Sequence, residues 1–283
     1  MLTDEHLENQ ITDEELAFFN AEGYLIIKNV LNSEHIKKLE KRIDAIHQDL
    51  LDQNYDPYTQ RALGPNDNLF YPNFIGEDRL FLNLIDHPKT FPKVWGILGH
   101  NIYSYHSHFI ITPKEDSIPE EPRPLGFHQD SGRVNLEMEG DPRPRLSLKV
   151  AYWLSDMSQP GRGNFYIVPG SHLQNAFHNP KDGTLPEGAI PFCANAGDAV
   201  LFDRRLFHSR SPNPSDITRK CLFFGYSYRW IRSKDALVIP EKFMAESDPV
   251  RKQLLGYSPE ANNLFHGNCP LRFWMDEKGI KWK

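Results

Sequence analysis

Cysteine is scarce in this 283-residue chain: Cys193, Cys221 and Cys269 stand far apart and are odd in number. That argues against a disulfide framework, and no spacing matches a zinc knuckle, so reduced thiols and the cytoplasm are the expectation. Long apolar runs are missing as well. No stretch approaches the ~20 residues a membrane helix needs, and the start, Met1-Leu2-Thr3-Asp4-Glu5-His6, lacks the basic flank and apolar middle of a secretory signal. Nor is there an excess of positive charge. With 32 Lys and Arg against 38 Asp and Glu, the formal charge is −6 and no basic stripe appears, which argues against a nucleic-acid groove and for a small-molecule substrate. Repeats and low-complexity tracts are absent. A 39% hydrophobic and 25% charged composition is that of an ordinary globular protein. All-β barrels and sandwiches reach this length as one unit, so a single domain over residues 1–283 is expected, its oligomeric state left open.

What is present falls into three parts. Residues 1–100 read as helical support with an entrance loop. Thr12 with Glu15 resembles a capping box for a helix over 13–22 that ends at Gly23; a brief strand follows at 24–28, and a helix begins at Asn32 with Ile36, Leu39, Ile43 and Ile46 as its buried stripe. The polar stretch 52–68 reads as loop, with Tyr55, Tyr58 and Tyr71 available to line an entrance, and a short helix is expected over 92–98. Residues 101–230 change to short β segments. Strands are expected at 101–112, 146–154, 164–168, near 199–202 and at 219–230, with Tyr103, Tyr105, Ser107 and Phe109 on one face of the first and Ser104, His106, His108 and Ile110 on the other. An exposed acidic, proline-rich loop is expected over 113–124, and 173–186 reads as irregular. Residues 231–283 show little periodicity and read as a tail anchored by Phe243, Leu254, Phe265, Phe273 and Trp274. Helices first and strands afterwards suggest a β-sandwich or jelly roll with helices on one side.

Within the β region, His128 and Asp130 put an imidazole and a carboxylate on one side of an extended segment, because residues i and i+2 share a face. Alone, such a pair is more often a hydrogen-bonded couple than a metal site. His208, beyond a Gly197-Asp198 turn and an apolar strand, changes that weighting. Two His and one carboxylate on one face of an octahedron leave open positions opposite, the geometry of non-haem iron(II) oxygenases. Arg219, eleven residues on, offers the bidentate fork that the far carboxylate of a 2-oxoacid needs.

These pieces resemble the phytanoyl-CoA hydroxylase-like iron(II)/2-oxoglutarate dioxygenases. The matching parts are Asp13 to Gly23 with Tyr24-Leu25, His128-Gln129-Asp130, Gly163-Asn164 through Val168-Pro169-Gly170-Ser171-His172, Gly197-Asp198, and His208 with Pro212-Asn213 and Arg219, in family order over about residues 12 to 230. The resemblance implies a double-stranded β-helix core (jelly roll, cupin-like), iron(II) on His128, Asp130 and His208, and 2-oxoglutarate anchored by Arg219, with O2 as the other co-substrate. It also implies oxidation of a C–H bond with release of succinate and CO2. Asp130 argues for hydroxylation, or another oxidative outcome such as desaturation, over halogenation, since related halogenases lack that carboxylate. One departure stands out: the family commonly has Ser two residues beyond the distal His, where this chain has Arg210. Ser209 or Ser211, Tyr226, and Lys149 or His106 are the candidates to complete the co-substrate pocket.

Of the remaining residues, Tyr105, His106, His108, Phe127, Arg133, Trp153 and Arg210 are candidates for the substrate pocket, and the PGSH stretch, residues 169–172, reads as a structural turn. Arg133, Lys149, Arg162, Asn164 and Arg210 individually read as surface positions, but as a group they suggest an anionic substrate. Two other readings remain at this stage: a cupin-like metalloenzyme that does not use 2-oxoglutarate, and a non-catalytic binding module on the same fold. Acyl-CoA, amino acid, phosphonate and secondary metabolite are all within range as substrates.

Overall fold

Local chemistry sets the N-terminal elements in the computed structural model, which describes residues 2–116, 123–235 and 237–281. The helix Asp13–Glu22 starts at a closed capping box: Thr12 Oγ1 accepts from Glu15 N–H at 3.1 Å, and Glu15 Oε2 accepts from Thr12 N–H at 2.9 Å. It stops at Gly23, whose φ of 81° is left-handed and whose Cα faces His172 so closely that a Cβ would lie 2.5 Å from its Nδ1. Glycine is required there twice over. The helix Ser33–Asp52 is capped by Asn32, and it buries Leu39, Ile43, Ile46 and Leu50. A further helix, Phe91–Leu98, matches the one expected over 92–98.

Nine strands follow in chain order among the described residues: β1 (Tyr24–Ile27), β2 (Leu69–Pro72), β3 (Ile102–Thr112), β4 (Ser147–Trp153), β5 (Phe165–Ile167), β6 (Ile190–Phe192), β7 (Ala199–Asp203), β8 (His208–Arg210) and β9 (Arg219–Tyr228). They form two antiparallel sheets, a major one in the order β1-β7-β4-β9-β3-β2 and a minor one in the order β6-β5-β8. The sheets face each other as a jelly roll. Alternation along each central strand sends Leu148, Val150, Tyr152, Leu222, Phe224 and Tyr226 outward into a large core with the helices, and Trp153, Phe202 and Phe223 inward against Phe165 and Ile167 of the minor sheet. The inner layer holds the candidate functional site.

Several expectations need correction. In β3 the register to β9 shifts between Ser104 and His106, so Tyr105 is a bulge residue and it lines the same inner side as His106. The strict alternation expected there therefore fails. Tyr105 fits because its partner strand carries Gly225, where a Cβ would come within 2.9 Å of the tyrosine ring. The strands β2 and β6 were not evident in sequence, both being short and lying beside stretches rich in turn residues. The C-terminal part folds as helices Glu241–Glu246, Pro249–Leu254, Asn262–His266 and Pro270–Glu277. Leu254 is buried and Phe243 and Trp274 pack on the core, but Phe265 and Phe273 are 70% and 58% exposed and anchor nothing. Tyr71 turns away from any entrance, its hydroxyl donating to Glu77 at 2.8 Å, and Tyr55 is exposed. The centre of the loop expected over 113–124 lies outside the described residues.

Candidate metal centre

His128 reaches the site by backbone pairing. Its N–H donates to the His208 carbonyl and its own carbonyl accepts from His208 N–H, both at 3.0 Å, while Asp130 N–H donates to the Arg204 carbonyl at 2.8 Å. The stretch 128–130 is a single β-bridge running into a turn, not the regular strand the spacing suggested. The consequence is the same. Ligand atoms of His128, Asp130 and His208 lie within 4.8 Å of one another, and no other such cluster of three occurs among the described residues. His128 is exposed and the other two are buried.

Each imidazole is oriented by its own backbone. Nδ1–H of His128 donates to Gly126 O at 2.9 Å, and Nδ1–H of His208 donates to Leu206 O at 2.8 Å. That fixes the tautomer and leaves Nε2 of each ring as a lone-pair donor for a cation. Burial holds the His208 pKa down to about 4, with the Asp130 charge opposing, so the ring is neutral at physiological pH. For Asp130 burial acts to raise the pKa, but the Lys149 ammonium and the two imidazoles outweigh it and hold the carboxyl well below the usual range. Lys149 Nζ sits 2.7 Å from Asp130 Oδ1, whereas Oδ2 is buried without a partner. An ionised carboxylate with one free oxygen, beside two free Nε2 atoms, fits a divalent cation.

Arg219 begins β9 on the inner face and is 1% exposed. Its Nε and Nη1 have no hydrogen-bond partner among the described residues, and the guanidinium lies 5.0 Å above the Trp153 ring. A desolvated cation–π contact is worth about 2 kcal/mol or somewhat more, against the several kcal/mol that burying an unpaired charge costs. The balance requires an anion. A 2-oxoacid with a distal carboxylate fits that requirement, because a guanidinium pairs with a carboxylate through two parallel N–H bonds.

Other expected residues divide sharply. Tyr105 and Arg133 line a cavity of about 490 Å³ beside Asp130, together with Ser147, Arg204 and Lys234, though Arg133 itself is exposed and bonded to Glu137 at 2.6 Å. His106 and His108 line the inner face, and Trp153 lies under Arg219. Tyr226 is a correction: it points to the outer core, where its hydroxyl donates to Ile85 O at 2.6 Å, so it cannot reach a co-substrate on the inner face. Ser209 is another, since it pairs with Tyr166 in β5 and alternation turns it away from His208, its hydroxyl 3.3 Å from the Arg210 carbonyl. Phe127 likewise turns from the site and packs against Phe177. Lys149 is committed to Asp130 and Arg210 to Glu115. Asn164 is a buried structural residue bonded to Met157 O and Phe192 O. His172 is structural as expected, its ring bonded to Asn20 O at 3.1 Å. Sequence reasoning missed Ser147, Arg204, Lys234 and Asp235, the last two because they lie in a segment with no periodicity to flag them.

The sequence profile of the phytanoyl-CoA dioxygenase (PhyH) family matches residues 19–221. Among curated proteins, dioxygenase cdmD of Talaromyces verruculosus is 22% identical over 251 residues, covering 83% of this chain and 80% of the relative. Ectoine dioxygenase of Stutzerimonas stutzeri is 24% identical over 248 residues, covering 78% and 79%. Among solved structures, HygX of Streptomyces hygroscopicus, with nickel and 2-oxoglutarate bound, superposes with a TM-score of 0.61 at 18% identity, covering 79% of this chain and 90% of that one. A profile spanning most of the chain, containing all three cluster residues and Arg219, places it: the chain belongs to the phytanoyl-CoA dioxygenase family of iron(II)- and 2-oxoglutarate-dependent dioxygenases.

Proposed function

We propose that the protein hydroxylates a C–H bond of a small polar metabolite bearing an acidic group, releasing succinate and CO2, and that the chain works as one dioxygenase unit in the cytoplasm. The observation that carries this reading is a three-ligand cluster and an unpartnered buried guanidinium on the same inner face. His128, Asp130 and His208 hold the metal, and Arg219 holds the distal carboxylate of 2-oxoglutarate. Bound there, iron(II) with 2-oxoglutarate and O2 supplies the oxidising chemistry, which no protein side chain can provide. The chain contributes position and dryness. Backbone carbonyls hold both imidazoles in one tautomer, Lys149 keeps Asp130 ionised, and Phe165, Phe202 and Phe223 keep water from the inner layer.

The acidic group on the substrate is supported by different residues from those first suspected. Arg133, Lys149, Arg162 and Arg210 each face an acid of the chain: Glu137, Asp130, Asp156 and Glu115. Arg232 and Lys234, in the wall of the cavity beside Asp130, have no ion-pair partner among the described residues and take over that role. A cupin-like enzyme without 2-oxoglutarate would have no use for the unpaired Arg219, and a binding module would have none for the cluster. The cytoplasmic reading is supported by three free cysteines and by the absence, among the described residues, of a helix long and apolar enough to cross a membrane.

Anaerobic addition of iron(II) and 2-oxoglutarate should produce a weak visible charge-transfer band that Arg219→Ala diminishes. No band in the wild type would remove the basis for the reading. A screen for succinate release across pooled small acids, with no-substrate controls, then identifies the substrate.

A further inference from the structure

The bulge in β3 frees the Tyr105 carbonyl from the sheet, and the segment after β9 docks on it. Lys234 N–H donates to that carbonyl at 2.9 Å, and the Ser233 hydroxyl lies 3.0 Å from it. Docking inserts the Asp235 carboxylate behind the inner face. Its Oδ2 accepts from Ser107 N–H at 2.7 Å and its Oδ1 lies 2.7 Å from His106 Nδ1. His106 Nε2 in turn lies 2.9 Å from His108 Nδ1.

Tautomers follow from the acceptor at the end of this chain of contacts. A carboxylate only accepts, so His106 Nδ1 carries a proton and donates it. A neutral His106 then accepts at Nε2, so His108 Nδ1 carries a proton and donates in turn. His108 Nε2 is left bare. Burial opposes protonation of both rings, and for His108 the Lys149 and Arg219 charges oppose it further, while Asp235 favours a charge on His106. The His108 ring is clamped flat between Phe70 and Phe223, with centroid separations of 4.4 and 4.6 Å. Its Nε2 has no partner among the described residues, and unlike His172 Nδ1 it is not a fully sealed atom. A structural relay would end on an acceptor's partner. This one ends on a bare ring nitrogen at the inner wall, on the face shared with Arg219 and Lys149.

We infer that Asp235 and His106 hold His108 Nε2 as a bare acceptor that selects substrates presenting a hydroxyl or an ammonium to the inner wall of the site. The inference rests on the dioxygenase reading and adds the second recognition element: an acid at Arg232 and Lys234, a hydrogen-bond donor at His108. His108 is the contacting residue, and His106 and Asp235 are positioning residues.

The test uses full-length protein labelled with 15N-histidine and loaded with zinc(II), a diamagnetic stand-in, and 2-oxoglutarate. Long-range 15N–1H spectra should show His108 protonated at Nδ1 and bare at Nε2. Titration then compares butyrate with its 3-hydroxy and 4-amino derivatives and their longer homologues. Donor-bearing members should bind about ten-fold tighter than their plain counterparts and move the His108 Nε2 resonance. The hydroxyl and amino arms identify which donor is preferred. In His108→Phe, which keeps the clamp between Phe70 and Phe223, the preference should fall to about two-fold or less while 2-oxoglutarate affinity persists. Asp235→Ala should lose the preference and Asp235→Asn should recover it only in part, because its one amide oxygen cannot accept from both His106 Nδ1–H and Ser107 N–H. A protonated Nε2 in the unliganded wild type, or donor-bearing members binding no tighter than plain ones, overturns the inference. A wild type that fails to bind 2-oxoglutarate overturns the dioxygenase reading instead.

Discussion

The two faces of the major sheet are built from the same strands and differ in what their polar groups find. On the outer face, Tyr226 donates to Ile85 O and Tyr152 to Leu84 O, and both rings are packed against helices. On the inner face Trp153 Nε1 and two nitrogens of Arg219 are buried without partners, and so is Asp130 Oδ2, in the turn held against that face by Lys149. Ser104 and Ser107 also carry unpaired hydroxyls, but an unpaired hydroxyl costs about 1–3 kcal/mol where an unpaired buried charge costs several. The difference teaches how to tell a core from a site. Among the described residues the outer face leaves only neutral hydroxyls unpaired, and the inner face leaves charged groups that ligands would complete.

The sharpest way to break that contrast is to remove an inner-face ligand. Asp130→Ala should abolish substrate-coupled succinate formation and leave Lys149 without its counter-ion; hydroxylation at the wild-type rate would contradict the ligand assignment. Next in size is Arg219→Leu, which should weaken 2-oxoglutarate binding by about 100-fold, within the range for losing one partner of a buried charge pair. Calorimetry reads this directly, and the fold should be no less stable, because an unpaired buried cation is replaced by an apolar side chain. The outer face should respond in the opposite manner. Tyr226→Phe strands the Ile85 carbonyl and should cost about 1–2 kcal/mol in denaturant unfolding with 2-oxoglutarate affinity unchanged. A change in affinity would restore Tyr226 to the site.

The smallest effect concerns His87, which packs edge-on against Tyr152 behind the outer face. Burial, reinforced by the His35 and Lys89 charges, lowers its pKa to about 4. The unfolded chain binds this proton more readily than the folded one, so its contribution to stability is complete above the unfolded pKa and is lost as pH falls. From pH 6.5 to 5.5 the loss should be about 1 kcal/mol. His87→Asn should flatten that part of the profile, and an unchanged slope would remove His87 as the cause.

Much of the site was legible in sequence because its residues sit at local signals. His128 and Asp130 flank one residue, His208 follows a Gly-Asp turn and an apolar run, and Arg219 opens a strand. The auxiliary residues were not legible. Tyr226 and Arg219 lie on the same strand, seven residues apart, and period-two alternation puts them on opposite faces. Nothing in composition distinguishes a tyrosine that lines a pocket from one that donates into a core.

The chain by itself determined where helices begin, which segments extend and which three side chains suit a cation, because capping, alternation and ligand chemistry act over a few residues. Only the tertiary structure decided what those segments do together. A single bulge at Tyr105 turned two consecutive side chains inward and opened a carbonyl to residues 233–235, placing Asp235 behind His106 across a separation of 129 residues. Such a contact depends on register and docking, which are properties of the packed sheet and leave no local trace in the order of amino acids.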